Sequence, residues 1–183
     1  MVRRLFSFLI LVLLSPIFIF TAFLIILDDG FPVFFSQKRV GLNNIYFGIY
    51  KFRTMKKDTP DIPTHLIKDN RSFYTKIGPY LRKLSIDELP QLINIIKGDM
   101  VFIGPRPALY NQDNLIELRT KLGIHKLMPG ITGWAQVNGR DELSIPDKVK
   151  MDEFYLKNQS IWLDIKILFF TNLKVFKSEG VST

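Results

Sequence analysis

The longest apolar run of the chain lies near its start, where residues 5–27 contain no charged side chain. A helix of this length is roughly 34 Å long, which is enough to cross the hydrocarbon core of a bilayer. The run is longer than the roughly 7–15 apolar residues of a signal peptide, and no A-x-A-like cleavage site follows it. The pattern predicts a retained membrane segment at residues 1–29 and a separate domain at residues 30–183.

Ser15 and Pro16 stand almost at the centre of this run. Proline removes a helical hydrogen bond and clashes with the carbonyl four residues earlier, here that of Val12, so the helix should kink or break. Basic residues flank the run on both sides, and each flank favours the cytoplasmic face. The pattern therefore admits a re-entrant helix that leaves by the face it entered, or a kinked helix that spans. The flanking basic residues are Arg3, Arg4, Lys38, Arg39, Lys51 and Arg53.

Short apolar segments alternate with polar ones in the rest of the chain. Two strands are predicted at residues 31–35 and 45–50, with a basic turn at residues 37–44 between them. Residues 56–72 are polar and contain two prolines, which is typical of an exposed loop. Residues 128–140 hold three glycines among polar residues, which predicts an ordered loop.

Apolar positions at helical spacing predict a helix shortly after residue 84. Ser85 and Glu88 fit a capping box that would start it. Alternatively Asp87 is the N-cap, which would leave Pro90 in the tolerant first turn. Gly98 fits the C-terminal end. The apolar positions are Leu89, Leu92, Ile93 and Ile96.

Two further helices are predicted at residues 111–122 and 161–176. The second of these is rich in Ile, Leu and Phe, with Trp162 near its start and lysines along it. That pattern favours an amphipathic helix at a membrane surface, and a buried core helix is the alternative. The elements together predict an α/β fold that is mostly α, with a compact domain behind a membrane segment.

The charge balance indicates anionic partners. The chain carries 25 Lys and Arg against 17 Asp and Glu, a formal net charge of +8, and the excess lies in residues 30–183. Anionic lipids, phosphorylated ligands and nucleic acid all suit such a domain. The chain has no cysteine, which excludes disulfides, Cys-ligated zinc and a thiol nucleophile. The sequence also contains no P-loop, G-x-G-x-x-G, H-E-x-x-H or G-x-S-x-G motif.

Asp87 and Glu88 form the sharpest candidate for chemistry. A helix start favours negative charge and attracts phosphate. An ionised aspartate can attack phosphorus, and a neighbouring carboxylate can share Mg²⁺ with phosphate oxygens. Capping alone also explains two acidic residues in a first turn, so the structural interpretation stays open here.

Arg106 is the second candidate, because Pro105 and Pro107 fix the backbone on either side of a guanidinium that can grip phosphate bidentately. A rigid loop with a solvated arginine is the alternative. Lys51, Arg53 and Arg82 are further cations that together can gather a diphosphate, or simply form a solvated face. The two histidines stand apart, with no partner at metal-ligand spacing.

Four stretches in this order carry a resemblance to a known family. They read KFRTM at residues 51–55, LSIDELPQL at 84–92, KGDMVFIGPRP at 97–107 and PGITGWAQVNGR at 129–140. The chain resembles the bacterial sugar transferase family, the monotopic phosphoglycosyl transferases, from about residue 6 to residue 182. Its length is similar to that of the minimal catalytic form.

The resemblance implies a specific reaction. Asp87 would attack the β-phosphate of a UDP-sugar, release UMP and carry the phosphosugar until undecaprenyl phosphate takes it in a ping-pong route. Glu88 would act as the partner of Asp87 near Mg²⁺, and Arg106, between Pro105 and Pro107, would hold the carrier phosphate. The final stretch is similar to that of members using N-acetylated amino sugars. The basic residues implied around the phosphates and nucleotide are Lys51, Arg53, Arg82 and Arg140.

The resemblance also implies a location. A re-entrant helix broken at Ser15 and Pro16 would hold the chain in the bacterial inner membrane, with the catalytic domain on the cytoplasmic face and membrane lipid around it. A homodimer is compatible with this. One departure is Ser7, which stands where the family usually has Asp, so a role of that acidic residue, for example in helix docking, does not carry over to this chain.

Three rival functions are weighed against this one. A membrane-tethered nucleic-acid-binding protein would alternate aromatics with Lys and Arg on one surface, whereas many aromatics here lie in apolar runs, so no nucleic acid partner is expected. An inactive membrane scaffold of the same fold is disfavoured because Asp87, Glu88 and Arg106 are all present. A multi-spanning enzyme of the same net reaction needs more than one long apolar segment.

Overall fold

The computed structural model describes residues 1–57, 59, 73–139 and 143–177 of the chain. The predicted apolar run forms two helices, α1 at Val2–Leu13 and α2 at Ser15–Asp29, which meet at an angle of 60°. The Ser15 hydroxyl donates to the Val12 carbonyl at 2.7 Å. That carbonyl is the one for which Pro16 has no N–H, so the serine satisfies the acceptor that the proline leaves open. The predicted break is confirmed.

Within the described ranges, no single helix combines the length and apolar character needed to cross a bilayer, whereas α1 and α2 taken together have both. Their outward surface is apolar, as a helix facing lipid requires. The exposed apolar side chains include Leu5, Phe6, Leu9, Leu13, Ile19, Phe20, Phe23 and Leu27.

The first antiparallel sheet pairs β1 at Phe34–Val40 with β2 at Tyr46–Phe52. The turn between them is a 3₁₀ helix at Leu42–Asn44, in which Asn43 and Asn44 have positive φ. Asparagine tolerates this conformation better than most residues. The first predicted strand was placed too early and the predicted basic turn at 37–44 was too long, because its first four residues pair with β2.

Helix α3 at Gly78–Lys83 and a 3₁₀ turn at Ile86–Glu88 precede α4 at Gln91–Lys97. The predicted capping box is wrong, since Ser85 has φ of 55° and makes no side-chain cap hydrogen bond, and Asp87 lies inside the 3₁₀ turn. Pro90 has no N–H to give to a continuous helix, so the chain divides there and α4 starts immediately after it. Gly98, with φ of 94°, ends α4 as predicted.

The C-terminal half adds a two-stranded parallel sheet and four helices. Residues 128–140 were predicted to be a loop, but they contain a strand and a short helix, because Val101 pairs with Gly130 and Ile103 with Thr132. The helices predicted at 111–122 and 161–176 are confirmed. Most of the predicted loop at 56–72 lies outside the described residues. The elements are β3 at Val101–Ile103, α5 at Asp113–Lys121, β4 at Gly130–Thr132, α6 at Trp134–Val137, α7 at Ile145–Lys157 and α8 at Ile161–Lys177.

Helix α1 packs directly on α4. Ile10 and Leu11 of α1, with Leu14 just after it, contact a core cluster that includes Leu92 and Ile95 of α4. Ser7 is fully buried in this contact, and its hydroxyl donates to the Leu92 carbonyl at 3.0 Å. The position where the family usually has Asp therefore docks α1 onto α4.

Helix α8 has features of both predicted alternatives for residues 161–176, the buried core helix and the helix with a surface suited to a membrane. Ile167 is fully buried and packs in a cluster with Val137 and Tyr155. The opposite face is apolar but exposed, with Trp162 81% exposed and Phe169 also exposed. The helix thus packs one face in the core and exposes an apolar face. In the part of the chain that the structure describes, the fold is an α/β fold that is mostly helical with two small sheets.

We expect Pro16→Ala to straighten the α1–α2 pair toward a spanning helix, because alanine restores the missing N–H and removes the ring clash. The chain has no native cysteine, so Val2→Cys and Phe31→Cys, both at exposed positions, can be labelled one at a time. With Pro16 present, both labels should react from the cytoplasmic side, and with Pro16→Ala they should react from opposite sides. Ile17→Ala, next to the break, is the control. Two cytoplasmic labels in Pro16→Ala would contradict the prediction.

Candidate functional site

The carboxylates of Asp87 and Glu88 lie in the 3₁₀ turn before α4 and are almost fully buried, at 6% and 9% exposure. Two cations from other elements reach them. The Lys51 ammonium, on β2, lies 2.8 Å from Glu88 Oε1 and 3.8 Å from Asp87 Oδ2. Arg106, in the loop after β3, donates from Nη2 to the same Glu88 oxygen at 3.0 Å. The structure therefore brings four of the predicted site residues together.

Asn94 fixes the distance between Lys51 and the carboxylates. This buried side chain of α4 accepts from the Tyr50 N–H at 3.0 Å and donates to the Gly48 carbonyl at 2.7 Å. Both partners belong to β2, so the amide holds the Lys51 strand against the helix that follows the carboxylates. Sequence reasoning missed Asn94, because an asparagine inside a helical pattern gives no sign of a partner more than forty residues earlier.

Burial and charge act in opposite directions on this cluster. Burial raises the pKa of Asp87, and the Glu88 charge adds to this, whereas Lys51, Arg82 and Arg106 act to lower it. Burial likewise lowers the pKa of Lys51, against the attraction of Glu88 and Asp87. The cations therefore help to keep Asp87 ionised in a place where desolvation favours the neutral acid.

The backbone of Arg106 is held by an ion pair that the sequence did not reveal. Arg119 of α5 donates from Nη1 to the Arg106 carbonyl at 2.9 Å. The same guanidinium binds Asp152 of α7 at 2.6 Å from Nη2 and 2.9 Å from Nε. Asp152 is nearly fully buried, and burial raises its pKa against the effect of Arg119. The pair ties the loop of Pro105, Arg106 and Pro107 to two helices.

Arg82 lies at the end of α3, one short turn before the carboxylates. Its Nη1 donates to the Tyr74 hydroxyl at 2.7 Å, and its guanidinium stands over the Tyr74 ring at 5.2 Å from the centroid. It is close enough to contribute to the electrostatic lowering of the Asp87 pKa. The structure thus places Arg82 in the outer part of the site, oriented by an aromatic ring.

Arg53 has a different environment from the other predicted cations. It is 5% exposed, and its guanidinium binds the Asp29 carboxylate and donates to the carbonyls of Asp29, Gly30 and Pro32. These groups lie at or just beyond the end of α2. We therefore assign Arg53 to anchoring the end of α2 rather than to the charged cluster around Asp87 and Glu88. The predicted residue Arg140 lies outside the described residues.

Asp28 makes a second connection at the same place. Its carboxylate accepts from the Ile77 N–H, just before α3, at 2.9 Å. The acidic pair Asp28 and Asp29 at the end of the apolar run thus links α2 to Ile77 and to Arg53.

A cavity of about 240 Å³ opens beside the carboxylates. Glu88 and Arg106 form part of its wall, and Ile10 and Leu14, next to the helix break, form another part. Its lining is mainly apolar, with Lys83 and Lys174 also present. The cavity extends from Glu88 and Arg106 to the break between α1 and α2. The remaining lining residues are Ser85, Leu89, Leu92, Phe102, Ile131, Thr132, Gln136, Val137 and Thr171.

The carboxylates can supply only part of a metal coordination sphere. Within the described ranges, no group of three or more His, Cys, Asp or Glu side chains stands at metal-binding distance. Mg²⁺ commonly binds through one or two carboxylates together with substrate phosphates. Asp87 and Glu88 fit that arrangement, provided that phosphate oxygens complete it.

Comparisons with known proteins identify the family and relatives of this chain. Residues 1–178 match the family described as bacterial sugar transferase. The uncharacterized sugar transferase EpsL of Bacillus subtilis strain 168 is 47% identical over 91% of this chain and 81% of its own length. The UDP-glucose:undecaprenyl-phosphate glucose-1-phosphate transferase of Escherichia coli K12 is 39% identical over 94% of this chain, but this covers only 39% of that protein.

A third relative is named for a different sugar. The UDP-N-acetylgalactosamine-undecaprenyl-phosphate N-acetylgalactosaminephosphotransferase of Aeromonas hydrophila is 42% identical over 87% of this chain and 39% of its own length. The chain therefore spans most of EpsL and about two fifths of the other two relatives.

We expect Arg53→Met to lower the free energy of unfolding by about 3 kcal/mol, because it leaves the Asp29 carboxylate and three carbonyls without their donor. For a chain of this size that corresponds to a fall of about 6–12 °C in Tm, measured on detergent-purified protein. Lys121→Met is the matched control, since Lys121 forms an exposed ion pair with Glu117. Equal Tm values for the two variants would contradict the anchoring role.

Proposed function

The chain belongs to the bacterial sugar transferase family and is a phosphoglycosyl transferase, and we propose that it transfers a sugar 1-phosphate from a UDP-sugar to undecaprenyl phosphate. The observation that carries this is the buried Asp87–Glu88 pair, surrounded by cations, of which Glu88 lies in the wall of a mainly apolar cavity that reaches the break between α1 and α2. The neighbour of the proposed nucleophile thus borders a cavity that can hold an isoprenoid chain.

The first half-reaction uses the Asp87 carboxylate as nucleophile. One of its oxygens bonds to the β-phosphorus of the UDP-sugar, the bond from that phosphorus to the bridging oxygen breaks, and UMP leaves with the electron pair. The phosphosugar is then linked to Asp87 as a mixed anhydride. Lys51, which helps to keep Asp87 ionised, supports this step.

The second half-reaction returns the carboxylate. A phosphate oxygen of undecaprenyl phosphate bonds to the same phosphorus, and the bond to Asp87 breaks. The products are undecaprenyl-diphosphate-sugar and the free enzyme. Arg106 supports this step, because its loop is fixed through Arg119 and its guanidinium lines the cavity that would receive the carrier.

Mg²⁺ is part of the proposal as the cofactor of the first step. Asp87 and Glu88 would hold it together with diphosphate oxygens, and it would supply neutralisation of phosphate charge. Glu88 is suited to this because Lys51 and Arg106 orient one of its oxygens. The same cations would contact the phosphates directly.

The carrier explains why the site lies against the membrane helices. Withdrawing an isoprenoid from the bilayer costs about 0.8 kcal/mol for each CH₂ exposed to water, so its phosphate has to react at the headgroup level. We propose that α1 and α2 form a re-entrant helix, and that α8 lies in the interface with its exposed apolar face toward lipid. The catalytic domain then faces the cytoplasm at the bacterial inner membrane.

The donor is the least constrained part of the proposal. Residues 129–140 resemble those of members that use N-acetylated amino sugars, so we propose such a donor for this chain. The relatives include proteins named for glucose and for N-acetylgalactosamine, so a donor panel has to contain both kinds. The product would begin a glycan on its lipid carrier, in the first membrane step of glycoconjugate synthesis.

The direct test is release of UMP from a panel of UDP-sugars by detergent-purified protein with Mg²⁺, in the presence and absence of undecaprenyl phosphate. The proposal predicts carrier-dependent turnover with at least one donor. Absence of UMP with every donor, at carrier concentrations that support a known relative, would overturn it.

We expect Asp87→Asn to abolish turnover and to leave membrane association intact, because an amide oxygen is a far weaker nucleophile than a carboxylate. Carrier-dependent UMP release and flotation with liposomes measure the two properties. Asp113→Asn, at an exposed position in the first turn of α5, is the control and should retain activity. A near-normal rate in Asp87→Asn would remove Asp87 from the mechanism.

We expect Lys51→Met to move the acidic limb of the pH profile of kcat/KM to higher pH. Asp87 has to be ionised to attack, and the Lys51 charge acts to lower an Asp87 pKa that burial raises, so removing that charge raises the pKa further. Lys97→Met, on an exposed cation that contacts the Tyr50 ring, is the control and should leave the limb in place. A shift to lower pH would contradict the electrostatic role.

A further inference from the structure

Gln136 of α6 is a buried amide that makes no hydrogen bond to the residues that the structure describes. Its side chain is 8% exposed, and within the described part of the chain neither Nε2 nor Oε1 makes a hydrogen bond. Such a group loses its bonds to water on folding and gains none in return, so it lowers the stability of the free protein. Unpaired buried amides call for a specific explanation, and a ligand that pairs with them is one.

The surroundings of Gln136 indicate where that ligand would lie. The residue is part of the wall of the 240 Å³ cavity, together with Glu88 and Arg106 of the charged cluster. A molecule bound to the Asp87–Glu88 pair would therefore extend toward the amide.

A pair of threonines in the same wall limits the chemistry of the ligand. Thr132 Oγ1 and Thr171 Oγ1 lie 2.7 Å apart, and the Thr171 hydroxyl donates to the Ile167 carbonyl at 2.8 Å. Since Thr171 has only one proton, Thr132 is the donor of the pair, and its oxygen has only acceptor capacity left. With the two atoms of the Gln136 amide, the wall offers two acceptors and one donor group.

This set of groups matches a sugar better than it matches the isoprenoid chain or the phosphates. An isoprenoid chain offers no hydrogen bond, and an ionised phosphate accepts but does not donate, whereas sugar hydroxyls and an acetamido group do both. The uridine also donates and accepts, but the sugar is bonded to the β-phosphate that Asp87 attacks and the uridine is one phosphate further away, so the sugar is the nearer of the two to the wall around Glu88. Resting on the proposed function, we infer that Gln136 binds the sugar ring of the donor, and of the phosphosugar carried on Asp87, and thereby selects which UDP-sugar reacts.

The selectivity among UDP-sugar donors follows from the free-energy cost of burying an amide that makes no hydrogen bond. A donor whose hydroxyl or acetamido group reaches Gln136 satisfies the amide, whereas a donor that lacks this group leaves it buried and unpaired. The discrimination therefore acts on the sugar and leaves the uridine and the carrier unaffected. Gln136 is in this sense a specificity-determining residue of the reaction.

The test compares Gln136→Met with the unmodified chain and with Gln91→Met. Methionine keeps the length of the side chain and removes both hydrogen-bonding atoms. Gln91 is a matched control, because it is 1% exposed and has an unpaired Nε2 but does not line the cavity. The measurements are kcat/KM for each donor of the UDP-sugar panel, KM for undecaprenyl phosphate, and Tm with and without UDP-sugar or UDP.

For Gln136→Met we expect kcat/KM for the best donor to fall about tenfold while that for the poorest donor changes little, so that the ranking of donors flattens. KM for undecaprenyl phosphate should stay within twofold. The ligand-free Tm should be equal or higher, because an unsatisfied amide is gone. Gln91→Met should retain the donor ranking of the unmodified chain.

Two results would overturn the inference. An unchanged donor ranking together with a raised KM for undecaprenyl phosphate would assign the amide to the carrier, and a uniform loss with a lower Tm would make it structural. The Tm shifts separate this inference from the proposed function. If no donor releases UMP, loss of the UDP-sugar shift beyond the UDP shift in Gln136→Met would still support sugar binding, and retention of that excess would refute it.

Discussion

Two adjacent carboxylates can be withdrawn from water only when cations accompany them, and the arrangement of this protein follows from that requirement. Asp87 and Glu88 come from one short turn, whereas Lys51 comes from strand β2 and Arg106 from the loop after β3. Leaving either carboxylate unpaired in this place would cost several kcal/mol, so strand, turn and loop have to assemble together. The same charges that make the cluster stable also keep a nucleophile ionised beside a binding site for phosphate.

The helices at the start of the chain are part of this assembly. Ser7 binds the Leu92 carbonyl, Asp28 binds the Ile77 N–H, and Asp29 binds Arg53. Each of these contacts joins the apolar segment to an element that borders the carboxylates or leads to them. The proposed membrane position and the proposed chemistry are therefore set by one packed unit, and the cavity runs from the helix break to Glu88.

Stability and function are balanced differently in different parts of the site. Asn94, Arg119 and Asp152 have their hydrogen bonds made and hold the cations in place. Gln136 has none within the described structure, and it lies where a substrate would be bound. A site that is rigid around its charges and unsatisfied toward its ligand gains hydrogen bonds only when that ligand arrives, which favours specific binding over a more stable free protein.

The features that could be predicted from the sequence are those that depend on residues close together in the chain. The helix break follows from one proline, the end of α4 from one glycine, and the carboxylates and Arg106 are recognisable from the ordered stretches that contain them. The capping box predicted at Ser85 was wrong because Pro90 interrupts the helix. The strand within residues 128–140 was predicted to be a loop, because its pairing partner β3 is distant in the chain. Only the tertiary structure assigned Arg53 to α2, placed Asn94 and Arg119 behind the cations, and left Gln136 unpaired in the cavity. Those are contacts between residues far apart in sequence, and local pattern carries no information about which of them form.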